Sequence, residues 1–156
     1  MIGLYYKAND CRSENCIEIL KKSLSDNSLA YKVICEGSPD SGNDDIDVMI
    51  VFGGDGTVLR ASKIAGSKIP IVGINTGSLG FLSSYESDDV FTLVEDILSG
   101  TLTFSERRFM SVKVNDKEFF ALNDAVITKN HLVDNVSECI KLYLKIDGQF
   151  VDAYVG

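Results

Sequence analysis

The sequence predicts an α/β protein, with a doubly wound, mostly parallel N-terminal domain over residues 1–100 and the start of an all-β domain over residues 101–156. Three observations carry this. Short apolar runs alternate with segments of helical periodicity through the first hundred residues. One run, Val48–Phe52, is unbroken and leads directly into Gly53-Gly54-Asp55-Gly56-Thr57, as expected for a strand buried on both faces of a parallel sheet. Near Thr101 the pattern turns to apolar–polar alternation punctuated by Asn-Asp and Asp-Gly pairs, the signature of hairpins.

Taken in order, Ile2–Tyr6 reads as a strand. Asp10 is placed to cap a helix that carries Cys16, Ile17, Leu20 and Leu24 on one face. Tyr31–Cys35 is a second strand, and Glu36–Asp47 is a polar loop with five acids, Gly37, Pro39 and Gly42. After Val48–Phe52 and its glycine loop, a helix runs to about Ala65. Ile69–Ile74 is the fourth strand. Ser87 is placed to cap a helix with Val90, Val94, Ile97 and Leu98 inward and Gly100 at its end. In the second part, Phe109–Val114, an Asn115-Asp116 turn and Glu118–Thr128 form one hairpin. Ile140–Ile146, an Asp147-Gly148 turn and Gln149–Val155 form another. The chain stops on Val155-Gly156 within a strand pattern, so it reads as a fragment or the N-terminal part of a longer protein.

Composition narrows the class. Apolar residues make up 45% of the 156, enough for a packed core, and no apolar run approaches the length of a membrane span. Fifteen Lys and Arg against 23 Asp and Glu leave a net charge of −8, which argues against a nucleic-acid or anionic-membrane surface. Met1–Tyr6 has no basic region or long apolar stretch of a secretory leader, so a cytoplasmic location is expected. Cys11, Cys16, Cys35 and Cys139 form no Cys-x-x-Cys pair, and His131 is the one histidine. Reduced, partly buried thiols are expected rather than a zinc site, and no residue is assigned as a metal ligand. The sequon Asn135-Val136-Ser137 is then an accident of composition.

Two glycine-rich loops concentrate the chemistry. Gly53–Thr57 lies between a buried strand and a helix, where glycines allow close approach to the backbone and the helix start favours a phosphate. A carboxylate is electrostatically unwelcome there. Asp55 makes sense if it accepts a proton from an attacking hydroxyl or helps hold a metal; the structural alternative is an Asp-Gly turn with Thr57 capping the helix. Neither the P-loop string nor the Rossmann fingerprint is present, since Leu59 occupies the sixth position counted from Gly54. Between Asp55 and Glu86 there is no acid, while Arg60, Lys63 and Lys68 make a positive island. Arg60 falls on the first turns of the helix, near the expected phosphates; Lys63 and Lys68 fit a solvated helix face equally well. The second loop, Gly73-Ile74-Asn75-Thr76-Gly77-Ser78-Leu79-Gly80-Phe81-Leu82, follows the next strand and so sits at the same sheet edge. Asn75 offers donor and acceptor groups. Phe81 offers a flat face for a ring, or a core residue.

These residues resemble a family. Gly53-Gly54-Asp55-Gly56-Thr57 is similar to a motif of NAD kinases, phosphofructokinases and diacylglycerol-type lipid kinases, and the second loop resembles NAD kinases specifically. Leu122-Asn123-Asp124-Ala125-Val126 resembles the family's Asn-Glu motif, with Asp124 one methylene shorter than the usual Glu. The resemblance covers essentially the whole chain. It implies an α/β domain followed by an all-β domain, and transfer of the γ-phosphoryl of ATP, or of inorganic polyphosphate, to the 2′-hydroxyl of the adenosine ribose of NAD. It implies Asp55 as general base, and Gly53, Gly54, Gly56 and Thr57 around the donor phosphates with Mg2+. Arg60 matches a ligand-contact position, Asn75 and Phe81 would line the dinucleotide pocket, and Asn123 and Asp124 would hydrogen-bond the nucleotide. A homo-oligomer, dimer or tetramer, is implied at full length. The family continues with an Asp-Gly pair and a Thr-Pro-x-Gly-Ser/Thr-Thr-Ala-Tyr segment on the adenine side. Neither lies within these residues, so the 156-residue chain alone is expected to hold NAD poorly. The alternatives are another kinase with this glycine loop, such as a lipid kinase, and a non-catalytic nucleotide-binding module.

Overall fold

The computed structural model describes residues 1–8, 10–37, 43–77, 80–128 and 141–155. Pro39, Gly42, Ser78, Leu79, His131, the sequon Asn135-Val136-Ser137, Cys139, Ile140 and Gly156 lie outside them. The chain divides into two compact units, Met1–Arg108 and Phe109–Gly156.

The first unit is a five-stranded parallel sheet with helices on both faces, as the strand–helix alternation predicts. Its strands are β1 (Ile2–Tyr6), β2 (Tyr31–Cys35), β3 (Val48–Phe52), β4 (Ile71–Asn75) and β5 (Tyr85–Glu86), in the order β2-β1-β3-β4-β5. All five residues of β3 are buried, because this strand is central and covered on both sides. Helices α1 (Cys11–Asp26) and α3 (Val90–Ser99) cover one face. There Leu4, Ile50, Phe52 and Ile74 of the sheet meet Cys16, Ile17, Leu20 and Leu24 of α1 and Val90, Leu93 and Val94 of α3. Helix α2 (Asp55–Ala65) covers the other face, with Val58, Ala61 and Ala65 against Tyr5, Met49 and Val51. Asp10 caps α1 as expected, its carboxylate accepting from the Arg12 N–H at 3.3 Å and the Ser13 hydroxyl at 2.8 Å.

Four expectations need correction in this unit. Strand β4 begins at Ile71, not Ile69: the Ile69 N–H still bonds Ala65 O at 3.3 Å as the exit of α2, and Pro70 has no N–H to give. Ser87 is not a cap. It opens a single 3-10 turn, Ser87–Asp89, and the capping box is made one residue earlier, between Glu86 and Asp89. The inward face of α3 is Val90, Leu93 and Val94, at i, i+3 and i+4 spacing, while Leu98, expected inward, is 53% exposed. Cys11 is exposed rather than partly buried; Cys16 is buried, and burial with the nearby Asp88 carboxylate pushes its thiol up to about 11, leaving it unreactive.

The second unit holds two separate antiparallel hairpins, β6 (Met110–Val114) with β7 (Lys117–Ala121), and β8 (Lys141–Ile146) with β9 (Gln149–Val155). Asn115, Asp147 and Gly148 take positive φ (53°, 51° and 80°), as tight two-residue turns require. The strand expected to continue to Thr128 stops at Ala121, where its partner β6 runs out at Met110 and no ladder remains to extend it.

Candidate active site

In this strand order the chain steps outward from β1 to β2 and back to β3, so the connections at the carboxyl ends of β1 and β3 leave in opposite directions. A crevice opens at such a switch point. Here it is a cavity of about 430 Å³ lined by Asp10, Cys11, Arg12, Gly53, Gly54, Thr57, Thr76 and Gly77. The starts of α1 and α2 both face it, bringing two sets of helix-terminal N–H groups to one space.

The Gly53–Thr57 loop is built as a close-approach turn. Gly53 has φ 144°, and a Cβ there would stand 2.6 Å from Thr57 Oγ1. Gly54 is the N-cap of α2 and offers no side-chain acceptor, so the first N–H groups of the helix are left for a ligand. Thr57 does not cap. It is buried on the first turn, and its hydroxyl accepts from Arg60 Nη2 at 3.3 Å.

Asp55 opens α2, and its carboxylate is fixed from across the sheet edge. The Phe81 N–H donates to both its oxygens at 3.0 Å, and the Leu82 N–H donates to Oδ1 at 3.0 Å. Gly80 makes this approach feasible, since a Cβ there would meet Oδ1 at 2.6 Å. Oδ1 is thus the anchored oxygen, while Oδ2 takes one N–H contact and keeps acceptor capacity. The two glycine loops singled out in the sequence are joined through this one carboxylate.

Phe81 is 90% exposed, so the core alternative for its ring is excluded. Asn75 is buried at the end of β4, its amide spent on structure: Nδ2 donates to Glu86 Oε2 at 3.0 Å, and Oδ1 accepts the Gly77 N–H at 3.1 Å. Arg60 pairs with Glu36, Nε to Oε1 at 2.6 Å, so the positive island is partly neutralised by an acid from the loop after β2. Asn123 and Asp124 belong to the second unit, exposed just past the end of β7.

Sequence reasoning missed the β1–α1 side of the cleft. Asp10 was read only as a cap, yet it ends a relay in which Thr76 Oγ1 donates to Ser13 Oγ at 2.9 Å and Ser13 donates to Asp10 at 2.8 Å. The direction follows because Ser13 has one hydroxyl proton and the carboxylate takes it. Glu36 was likewise seen only as one of five loop acids. Strand order is the signal that finds both, and it is not written in any single stretch of sequence.

The comparisons agree with this architecture. The family model described as the ATP-NAD kinase N-terminal domain matches residues 8–102. A curated NAD kinase from Fusobacterium nucleatum is 33% identical over 144 residues, which is 92% of this chain and 52% of that protein. One from Caldicellulosiruptor bescii is 30% identical over 154 residues, 98% of this chain and 56% of that protein. The chain therefore spans about half the length of these curated relatives. Among solved structures, an Archaeoglobus fulgidus NAD kinase in complex with ATP superposes with a TM-score of 0.71 at 23% identity, over 99% of this chain and 57% of that one. Yeast NADH kinase complexed with NADH superposes with a TM-score of 0.65 at 16% identity, over 98% of this chain and 55% of that one. With its parallel sheet, its glycine loop and a family model that covers more than half of its residues, the chain belongs to the ATP-NAD kinase family.

Proposed function

We propose that the whole protein of which these residues form part phosphorylates the 2′-hydroxyl of the adenosine ribose of NAD, with ATP or polyphosphate as donor, to give NADP. The observation that carries this is Asp55: its carboxylate stands at the start of α2, anchored through Oδ1 by the Phe81 and Leu82 N–H groups, with Oδ2 still able to accept. In the proposed step the 2′-oxygen attacks the terminal phosphorus of the donor, and the bond to the bridging oxygen breaks. The hydroxyl proton passes to Asp55 Oδ2, and ADP or shortened polyphosphate leaves. Gly54 and Gly56 would hold the donor phosphates through backbone N–H groups, Gly53 through the close approach its turn allows and Thr57 through its hydroxyl, since the Gly53 and Thr57 N–H groups already donate to Ile74 O and Gly54 O; Arg60 would be the charged donor. Phe81, exposed beside that loop, would stack on a ring of the dinucleotide. Asn75 would act by shaping the loop rather than by touching ligand, given its bonds to Glu86 and Gly77. Asn123 and Asp124 would contact the nucleotide from the second unit. The full-length protein would assemble as a homo-oligomer.

Magnesium is tested by the donor set. Among the described residues no group of three or more His, Cys, Asp and Glu is clustered to hold a metal. An ion carried on the donor phosphates would need no such cluster, and Gly53, Gly54, Gly56 and Thr57 would hold it through those phosphates. When bound, the ion would neutralise charge developing on the donor.

The test is formation of NADP by the full-length protein from NAD and Mg·ATP, read with an NADP-specific dehydrogenase, beside a diacylglycerol control. NADP and no phosphatidic acid is the expected result. Asp55→Asn should keep the fold and NAD affinity and lower turnover by roughly two to four orders of magnitude. Turnover within about threefold of wild type removes Asp55 from the base role.

A further inference from the structure

Two buried side-chain oxygens among the described residues have no hydrogen-bond partner, Glu36 Oε2 and Ser83 Oγ. The first is a carboxylate oxygen, and leaving it unpaired is costly, so a purely structural staple is a poor account of it. Glu36 follows β2 directly. Its N–H donates to Tyr6 O at 2.8 Å, which fixes its backbone to the end of β1 beside the switch point. Its Oε1 holds Arg60 Nε at 2.6 Å. The Arg60 side chain runs back along α2 toward the helix start. Nη2 donates to Thr57 Oγ1 at 3.3 Å, and Nη1 lies 3.6 Å from where a Cβ on Gly56 would stand. Nε is engaged in the ion pair with Glu36, and one N–H of Nη2 goes to Thr57. The other N–H groups of Nη1 and Nη2 remain without a partner among the described residues, on the edge nearest the Gly53–Thr57 loop.

We propose that Glu36 is a positioning residue for phosphate-donor binding: it grips the Nε edge of Arg60 so that the Nη edge is presented to the donor at the start of α2. The proposal rests on the kinase reading above. It opposes the simplest electrostatic expectation, in which an acid near a polyanion only repels it. Arginine's planar fork is the reason. Fixing one edge orients the other, and a bidentate contact needs orientation as well as charge.

The experiment is a double-mutant cycle in the full-length protein, with Glu36→Ala, Glu36→Gln, Arg60→Ala and Glu36→Ala/Arg60→Ala. It reads the donor KM, NAD KM, kcat and Tm, and also ATP and tripolyphosphate affinity by calorimetry. Glu36→Ala should raise the donor KM roughly three- to tenfold and leave the NAD KM unchanged, and in the Arg60→Ala background it should add no further rise. Glu36→Gln keeps an acceptor for Nε and should return the donor KM to within about twofold of wild type. A lower donor KM in both Glu36 variants makes Glu36 a repulsive charge and overturns the proposal. An equal rise with and without Arg60 overturns it as well, and so does a change in Tm with no change in KM. If wild type makes no NADP, the kinase reading has failed, and the calorimetric cycle still decides whether Glu36 acts through Arg60. If wild type is active and the cycle is additive, this inference alone has failed.

Discussion

The two units solve the same problem differently. In Met1–Arg108 each face of one parallel sheet is covered by helices of the same unit, and the strands supply side chains that are fully out of water, such as Leu4, Met49, Ile50, Val51 and Phe52. Among the described residues of Phe109–Gly156 none is buried. Its strands leave Met110, Phe119, Phe120, Tyr143, Phe150, Val151, Tyr154 and Val155 exposed by 43–69%. The parallel layer carries its own cover because α1, between β1 and β2, and α2, between β3 and β4, pack back on it, whereas a hairpin spends its connection on two turn residues and must find cover elsewhere.

The sharpest test compares truncations in the two units. Leu20→Ala removes a side chain wholly enclosed between α1 and the sheet, and should destabilise the first unit by about 2–5 kcal/mol in urea unfolding. Phe119→Ala removes a larger side chain that is 52% exposed, and should cost less than about 1 kcal/mol in the same 156-residue chain. Equal losses would show that the second unit has a core of its own.

Glycine substitutions repeat the contrast at the backbone. Gly53→Ala meets both a positive φ and Thr57 at 2.6 Å, and should cost about 2–3 kcal/mol together with phosphate affinity. Gly148→Ala, at φ 80° in open space, should cost about 1 kcal/mol and leave affinity unchanged. Comparable effects at the two positions would break the claim that the first turn is built around a ligand.

Third in size is self-association. The exposed apolar side chains of β8 and β9 should make the 156-residue chain associate with rising concentration in light scattering, and bind NAD weakly in calorimetry. Replacing Phe150 and Tyr154 by Lys should reduce the association without changing the unfolding of the first unit. A monodisperse monomer that binds NAD at micromolar strength would show that the hairpins need no further cover.

The same contrast explains what was legible in the sequence. Strands β1, β2 and β3 and helices α1 and α2 are written locally, in unbroken apolar runs, an Asp cap and a helical stripe, and their limits fall where the residues place them. Strand β5 was missed, because two residues, Tyr85 and Glu86, make no periodicity and exist as a strand only through pairing with Ile74 and Asn75. The end of β7 was misplaced for the related reason that Leu122–Thr128 has no paired strand among the described residues. In the site, both glycine loops were visible as strings. The contacts between elements were not: Asp55 with the Phe81 and Leu82 backbone, Thr76 with Ser13, and Glu36 with Arg60 join residues 24 to 63 positions apart. Only the assembled sheet brings them together.

The smallest effect expected lies at the margin of the first unit, where its layered part ends. The Tyr85 hydroxyl donates to Asp96 Oδ2 at 2.6 Å, and the Thr101 hydroxyl donates to Oδ1 at 2.8 Å, tying the last turn of α3 to β5 and to the segment that leaves the helix. The bond from Tyr85, then that from Thr101, holds the Asp96 carboxyl below its ordinary value; burial, with the same bond, pushes the Tyr85 phenol up to about 12. A carboxyl that is more acidic in the folded state favours folding at every pH above its unfolded value, and that contribution disappears as pH falls through the folded value. The pair should therefore be at full strength near neutrality and absent in strong acid. Because Asp96 is solvated, salt weakens it further. Tyr85→Phe keeps the ring packed on the α1 and α3 face and removes only the donor. It should lower the thermal midpoint of the first unit by about 1–2 °C near neutral pH, and the difference from wild type should vanish in acid. A difference that persists unchanged below the carboxylate range would mean that the hydroxyl acts without the Asp96 charge, and that the edge of the layered unit does not depend on that carboxylate being ionised.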